Sequence, residues 1–224
     1  MGIPENYFAF IADAGFPCIA AKAALARDQV RILVCDHMAC PKDDVAIIEF
    51  LHSFVDQYRL STELYHSAVL IFKNPTQCSE REFDHLMWQR LQKISDLDAL
   101  QFSWDTRVGS DPAKSDFSFS IKEEAFYVIG LHPGSNRKAR RFQYPALVFN
   151  PHAQFEKLRE VERYSAMKQA VRKRDVIFSG SVNPMLADFG LSTEAFQYSG
   201  RLYDKDWKCP FKSHHETSQH NTPT

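Results

Sequence analysis

Short apolar segments of strand type alternate along the chain with longer segments of helical period. In Phe117–Ile121, apolar and polar residues alternate strictly, which is typical of a half-buried strand. Four further runs are compact enough to be strands buried within a sheet: Val30–Cys35, Ala68–Phe72, Ala125–Leu131 and Ala146–Phe149. Because helical segments are interspersed with these runs, the pattern predicts an α+β or mixed α/β fold, with a central sheet and flanking helices.

The helical segments carry recognisable start and end signals. Across Asp43–Tyr58, apolar residues recur at helical spacing. Ser79–Glu82 has the form of a capping box and predicts the start of a second helix. A third helix is predicted over Pro151–Arg174, with proline in its first turn and basic residues at its end. The Ala-rich segment Ile19–Leu25 is a further helix candidate.

The composition is that of an ordinary globular chain. Of 224 residues, 44% are hydrophobic, and 27 Lys and Arg stand against 28 Asp and Glu, for a formal net charge of -1. This balance argues against disorder and gives no overall basic charge with which to bind nucleic acid. We therefore expect a single domain over residues 1–211, followed by a disordered polar tail over residues 212–224.

The sequence predicts a cytoplasmic protein without a membrane partner. No stretch approaches the ~20 apolar residues that a membrane span needs, and no basic segment followed by a long apolar run suggests a signal peptide. The cysteines form no CxxC pair, so a zinc ribbon is not indicated. We expect reduced thiols, each either buried filler or a ligand or nucleophile: Cys18, Cys35, Cys40, Cys78 and Cys209.

Residue types that carry chemistry concentrate in residues 130–141, 149–156, 180–186 and 197–201, with Cys18 as an outlier. The first segment ends a predicted strand with a histidine and three arginines, and such arginines can hold carboxylates or phosphates bidentately. A solvated basic loop or a local nucleic-acid patch is an equal alternative on composition alone. The residues concerned are His132, Arg137, Arg140 and Arg141.

Three single residues allow both a structural and a functional interpretation. Cys18 follows Pro17 and can be a small buried hydrophobe or a ligand. His152, at a predicted helix start, can cap the helix or reach a site. Asp175 follows a basic run and is most simply an ion-pair partner.

Taken together, these segments resemble the YqcI/YcgG family. The similarity is greatest to its branch of heme-dependent guanidine N-hydroxylases, such as the guanitoxin-pathway enzyme, and it spans residues 16–211. Residues 131–155 are the most specific part. The matching elements are Phe16-Pro17-Cys18, the helix with Trp88, Leu91 and Gln92, Asp98, the Phe-Ser-Phe-Ser strand, the Arg137–Arg141 loop and residues 149–156.

The resemblance implies a b-type heme enzyme that activates O2 and hydroxylates a guanidine nitrogen of arginine or an arginine-derived molecule. A thiolate on the proximal side of heme iron favours O–O cleavage, and Cys18 lies in the segment that matches the family's Pro-Cys element. Cys18 is therefore the first candidate for the axial ligand. His132 is the main alternative, because imidazole is the other common proximal ligand, and His152 follows it.

The resemblance also implies partners for the heme propionates and for a cationic substrate. Propionates pair well with guanidinium groups, for which the candidates are Arg137, Arg140, Arg141 and Arg201. A guanidine substrate needs a buried carboxylate, for which the unranked candidates are Asp175, Asp188, Glu156 and Glu194. The candidates for hydrogen bonds to O2 or substrate are Asn183 and Ser181, and the catalytic set predicted overall is Asn183, Ser181, Asp175 and His152.

Two alternatives to a monooxygenase stay open from the sequence. One is a heme-binding sensor or carrier without oxygenase activity, and the other is a binding module without heme that uses the basic loop for nucleic acid or an anionic metabolite. A monooxygenase needs an external electron donor or reductase, because no GxGxxG fingerprint for flavin or nicotinamide follows a strand. For a monooxygenase we expect no nucleic-acid partner, and the sequence leaves open whether the protein forms a homodimer.

Overall fold

The computed structural model of the chain describes residues 2–160, 163–181, 190–204 and 206–215. Its strands are β1 (Val30–His37), β2 (Ser67–Asn74), β3 (Phe119–Ile121), β4 (Glu124–Leu131) and β5 (Ala146–Pro151). Its helices are α1 (Ile3–Ala12), α2 (Ile19–Ala26), α3 (Asp44–Leu60), α4 (Glu80–Asp98), α5 (His152–Glu160), α6 (Arg163–Ser179) and α7 (Ala195–Tyr198), with short 3-10 turns at Pro41–Asp43 and Lys138–Arg140.

Within the described residues, the five strands form one mixed sheet in the order β1-β2-β5-β4-β3. Strands β1 and β2 are parallel and are joined through α3, whereas every other neighbouring pair is antiparallel. Helices therefore accompany a central sheet in a single compact domain, which confirms the predicted fold class. Each of the five predicted strand segments lies at or overlaps an observed strand.

Successive side chains of the central strands point to opposite sides of the sheet, as in any strand. On one side, which we call the packed face, alternate residues of β2, β5 and β4 pack against α3 and α4; examples are Phe72, Phe149 and Phe126. On the other side, which we call the cavity face, residues such as Val69 and Val148 meet apolar side chains of α1 and of the segment before α2.

Helix α4 begins as its sequence predicts. The Ser79 hydroxyl accepts a hydrogen bond from the Glu82 backbone N–H at 3.2 Å, and the Ser79 N–H donates to the Glu82 carboxylate at 2.8 Å. This reciprocal capping box satisfies two N–H groups that the first helical turn leaves without partners. Three apolar residues on one face of the helix, Met87, Leu91 and Ile94, are then buried on the packed face.

The prediction of a half-buried strand at Phe117–Ile121 is wrong in one respect, because all five residues are buried. The serines tolerate burial because their hydroxyls are bonded. Ser118 donates to the Glu194 carboxylate at 2.9 Å, and Ser120 accepts from the Asp105 N–H at 3.0 Å. Alternation of polar and apolar residues here reflects two buried environments rather than one buried and one wet face.

The predicted helix over Pro151–Arg174 is observed as two helices, α5 and α6, on either side of residues 161–162, which the structure does not describe. Helix α6 also extends beyond the predicted end to Ser179. Helix α1 was not predicted at all. Among the described residues, no helix combines the length and apolar character needed to cross a membrane.

The packed chain extends beyond Phe211, where the disordered tail was predicted to begin. The Lys212 N–H donates to the side chain of Gln92 at 2.9 Å. The imidazole of His215 is buried beside Trp104, with its Nε2 3.0 Å from the carboxylate of Asp98. Residues 216–224 lie outside the described part of the chain.

Candidate functional site

A cavity of about 290 Å³ lies between the cavity face of the sheet and the surrounding helices. Its walls come from α1, the Phe16-Pro17-Cys18 segment, β4, β5, the start of α5, α6 and α7. The lining is mostly apolar with a few polar and charged groups, which is the character of small-molecule sites. Six residues predicted from the sequence line it together: Cys18, Arg137, Arg140, His152, Asp175 and Glu194.

Strand alternation decides which residues of β4 reach the cavity. Tyr127, Ile129 and Leu131 line it, whereas Phe126 and Val128 belong to the packed face. The floor of the cavity is therefore one side of a regular strand, and its side chains are held by the sheet's hydrogen bonds. The hydroxyl of Tyr127 donates to the Gln197 side chain at 2.5 Å, which joins this floor to α7.

Cys18 occupies the N-cap position of α2 and is one of the residues that line the cavity. The backbone N–H of Ala21 donates to the sulfur over 3.4 Å. Burial raises the pKa of the Cys18 thiol, while the N–H groups of Ala21 and Ala20 and the charge of Arg140 act in the opposite direction. A metal ion that binds this sulfur would have to displace its proton.

Arg137, Asp175 and Ser181 form one cluster at the side of the cavity. The Arg137 guanidinium lies 2.5 Å from one carboxylate oxygen of Asp175 and donates to the Ser181 carbonyl at 2.8 Å. The other oxygen of Asp175, Oδ1, is buried without a hydrogen-bond partner among the described residues. A buried polar atom of this kind calls for a ligand, an ion or a water molecule.

The guanidinium of Arg140 is buried and serves as a clamp between β4 and α7. It donates to the backbone carbonyls of Gly130 at 3.1 Å, Tyr198 at 2.8 Å and Gln197 at 2.8 Å. Desolvation lowers the pKa of Arg140 from its ordinary value. The residue therefore brings a positive charge to the cavity wall while it holds two elements together.

His152 and Glu194 form a buried pair at the cavity wall. Nε2 of His152 lies 3.2 Å from Oε1 of Glu194, and both side chains are only 5% exposed. The second oxygen of Glu194 accepts from Ser118 at 2.9 Å and from the Tyr198 hydroxyl at 3.3 Å. On its other side, Nδ1 of His152 lies 3.7 Å from the half-exposed carboxylate of Glu156.

His132, the alternative axial ligand, does not line the cavity. Its ring stacks on Phe83 with centroids 4.3 Å apart, and Phe83 belongs to the packed face. The pKa of His132 is lowered to about 4, mainly by burial. Its Nδ1 has no hydrogen-bond partner among the described residues. The imidazole is therefore a neutral group within the packed core, on the opposite side of the sheet from Cys18.

Two further predicted arginines also lie away from the cavity lining. Arg141 donates to the carbonyl of Ser135 at 2.7 Å within its own loop. Arg201 lies 3.5 Å from the carboxylate of Asp84 on α4. The predicted residues Asn183 and Asp188 lie outside the described part of the chain.

The other four cysteines are free thiols that do not line the cavity. Cys35 is buried on the packed face, and Cys78 and Cys209 pack against the same core. Within the described residues, no group of three or more His, Cys, Asp and Glu side chains is arranged to hold a metal ion.

The described cavity residues nevertheless suit a heme group. Heme needs an apolar enclosure, a single protein ligand to its iron and cationic partners for two carboxylates. The cavity has aliphatic and aromatic walls, one thiol and the guanidinium groups of Arg137 and Arg140. Since these residues line the same space, the residue types present fit the cofactor that the resemblance implies.

Some lining residues were not identified from the sequence, among them Tyr7, Ile11 and Tyr127. The spacing of Tyr7 and Ile11 by four residues was a helical signal that could have been used. Period-two alternation from Leu131 back to Tyr127 would have placed that tyrosine on the same face of its strand. Glu194 was one of four carboxylates that the sequence left unranked, because it lies in a segment of little periodicity.

Comparison with known proteins agrees with the resemblance at the level of the family. The sequence profile of the YqcI/YcgG family matches residues 7–212, so the chain belongs to that family. It is 26% identical over 208 residues to the Bacillus subtilis (strain 168) protein named "Uncharacterized protein YcgG", a match that covers 88% of this chain and 80% of the relative.

A second Bacillus subtilis (strain 168) relative, named "Uncharacterized protein YqcI", is 28% identical over 165 residues. That match covers 71% of this chain and 64% of the relative, so the chain spans less than two thirds of the length of YqcI. No solved structure matches the chain.

Proposed function

We propose that the chain is a heme-dependent monooxygenase that N-hydroxylates a guanidine nitrogen of arginine or of an arginine-derived molecule. One observation carries the proposal: the thiol of Cys18, the guanidinium groups of Arg137 and Arg140 and an apolar face of the sheet all line one cavity. The sequence resemblance to heme-dependent N-hydroxylases supports it independently. The five free thiols fit a protein of the reducing cytoplasm.

Cys18 is the residue that would bind the heme iron in this proposal. It is the candidate whose side chain lines the cavity without being committed to a carboxylate, since His152 is bonded to Glu194 and His132 lies on the packed face. The N–H of Ala21 holds the sulfur at the start of α2. N–H donors of this kind favour the thiolate form, in which the sulfur would bind iron.

Arg137 and Arg140 are the partners proposed for the propionates. Both guanidinium groups are held in place by protein groups, Arg137 by Asp175 and Arg140 by backbone carbonyls. Rigid guanidinium groups lose little conformational entropy when they bind a carboxylate. The apolar side chains of β4 and β5 would enclose the macrocycle and keep water from it.

The reaction requires electrons from outside the chain. When bound, heme supplies the iron at which O2 is activated. One oxygen atom of O2 is inserted into a guanidine N–H bond to give N–OH, and the other leaves as water. A separate reductase supplies the two electrons, and two protons are taken up with them. The chain's own residues would bind and orient the guanidine, and the two carboxylates among the described lining residues, Asp175 and Glu194, are the candidates to accept its N–H groups.

Turnover of arginine tests the proposal directly. Heme-loaded protein is incubated with L-arginine, a reductase with its nicotinamide donor and isotopically labelled O2, and the products are analysed by mass spectrometry. We expect an arginine derivative that carries one labelled oxygen on the guanidine group. Heme binding without oxygen incorporation across a panel of guanidines would favour a heme sensor or carrier instead, and a protein that takes up no heme would contradict both functions.

A further inference from the structure

The charged groups that line the cavity are not evenly distributed. The cationic lining residues are Arg137, Lys168 and Arg172, from α6 and the loop that α6 packs against, and Arg140, which is bonded to the backbone carbonyls of α7. Glu194 and His152 lie at another part of the wall, where α5 and α7 begin. A ligand that carries a positive charge is attracted by the carboxylates of the lining, which are Asp175 and Glu194 among the described residues.

The two carboxylates among the described lining residues differ in what balances their charge. Asp175 is paired with the guanidinium of Arg137 at 2.5 Å. Glu194, whose side chain is 5% exposed, lies within ion-pair distance of no Lys or Arg among the described residues, and its partners are the hydroxyls of Ser118 and Tyr198 and the imidazole of His152. Glu194 is therefore the carboxylate that lacks a permanent counter-ion.

A buried carboxylate without a permanent cation is expensive to maintain. Taking the charge out of water costs several kcal/mol in real proteins, and neutral hydrogen bonds recover only part of it. A ligand cation placed beside the carboxylate would recover more through charge-assisted hydrogen bonds. Binding sites commonly keep such an uncompensated group because the right ligand completes it and a neutral analogue does not.

We propose that Glu194 is the residue that selects the cationic group of the substrate, with His152 as the positioning residue that fixes the carboxylate by donating to Oε1. The identity of that group as a guanidinium rests on the proposed function. In this arrangement the hydroxyls of Ser118 and Tyr198 donate to Oε2 of Glu194, and these bonds fix the orientation of the carboxylate. Specificity then comes from charge rather than from shape alone.

L-Arginine and L-citrulline provide a matched pair of probes, because they differ in a charged guanidinium against a neutral urea group. Binding of each to the full-length protein, in heme-loaded and heme-free form, is measured by calorimetry. We expect the native protein to prefer arginine and the Glu194→Gln variant to lose at least about tenfold in arginine affinity while its citrulline affinity changes little. Glu194→Asp, which keeps the charge, should recover part of the preference.

Glu49→Gln is the control, because it removes an exposed carboxylate of α3 that does not line the cavity and should leave the preference intact. Thermal unfolding of each variant identifies any loss of the fold. Undiminished arginine affinity in a folded Glu194→Gln variant, or no preference for arginine in the native protein, would overturn the inference. A protein that prefers arginine but takes up no heme would leave Glu194 as the selecting residue and overturn the proposed function alone.

Discussion

The same strands form both sides of the sheet, but the two sides have different roles. On the packed face, large aromatic residues such as Phe72, Phe126 and Phe149 are completely buried against α3 and α4. On the cavity face, the same strands present smaller or partly polar residues such as Ile129, Val148 and Asn150 to a space that the helices do not fill. Stability is concentrated on one side, and the capacity to bind a ligand on the other.

The difference also shows in the buried polar groups. On the packed side, the carboxylate of Asp98 is satisfied by His52 at 2.7 Å, by His215 at 3.0 Å and by the backbone N–H of Lys122 at 3.0 Å. On the cavity side, within the part of the chain that the structure describes, Asp175 keeps a buried oxygen without a partner and Glu194 has no Lys or Arg within ion-pair distance. Among the described residues, unpaired neutral atoms such as Nδ1 of His132 occur on the packed face as well, so the difference between the faces lies in their buried carboxylates. A carboxylate with a complete set of partners stabilises a fold, and one with an incomplete set marks a place where a ligand can bind.

The largest effect is expected from truncating equal side chains on opposite faces. Leu147→Ala removes a completely buried side chain from the packed face and should lower the free energy of unfolding by about 2–5 kcal/mol. Ile129→Ala removes a half-buried side chain from the cavity wall and should cost less than half as much, because no new enclosed void forms there. Urea unfolding measures both, and equal losses would show that the two faces do not differ.

A smaller effect is expected from Asp98→Asn, which should lower the free energy of unfolding by about 1–3 kcal/mol at pH 7. Burial alone would raise the pKa of Asp98, but hydrogen bonds from His215 and His52 outweigh it and lower the pKa below the ordinary value of 3.8. The native carboxylate therefore contributes stability above about pH 4, which is lost as the pH falls through the lowered pKa.

Urea unfolding of the native protein and of Asp98→Asn across this acidic range checks the pH dependence. The difference between the two proteins should shrink as the pH falls. Asp96→Asn is the matched control, because Asp96 is 39% exposed, bonds His214 at the surface and should change stability little. A difference between native protein and Asp98→Asn that stays constant with pH would show that the carboxylate's charge is not the source of the stability.

The packed face was easier to predict from the sequence than the cavity. Strand segments follow from short apolar runs, and the start of α4 follows from the capping box at Ser79 and Glu82, because both are local signals. The burial of all five residues in Phe117–Ile121 was not predicted, because it depends on Glu194. This residue is distant in sequence and accepts the hydrogen bond from Ser118.

The cavity could be predicted only in its components. Cys18, Arg137, His152 and Asp175 were identified as chemically capable residues, but their assembly depends on how α1, α2, α5 and α6 dock against the sheet. No local pattern encodes that docking. One difference between Cys18 and His132 also emerges only from the structure. Cys18 lines the cavity, whereas His132 stacks on Phe83 on the packed face of the sheet.

The ferrous–CO spectrum of heme-loaded protein is the most direct test that the cavity face binds heme through Cys18. We predict that the native protein and Cys78→Ser, which alters a thiol packed against the other core, show the long-wavelength Soret band of thiolate ligation. Cys18→Ser should bind hemin more weakly and lose that band. A native protein that takes up no hemin, or a Cys18→Ser variant with an unchanged spectrum, would contradict the account.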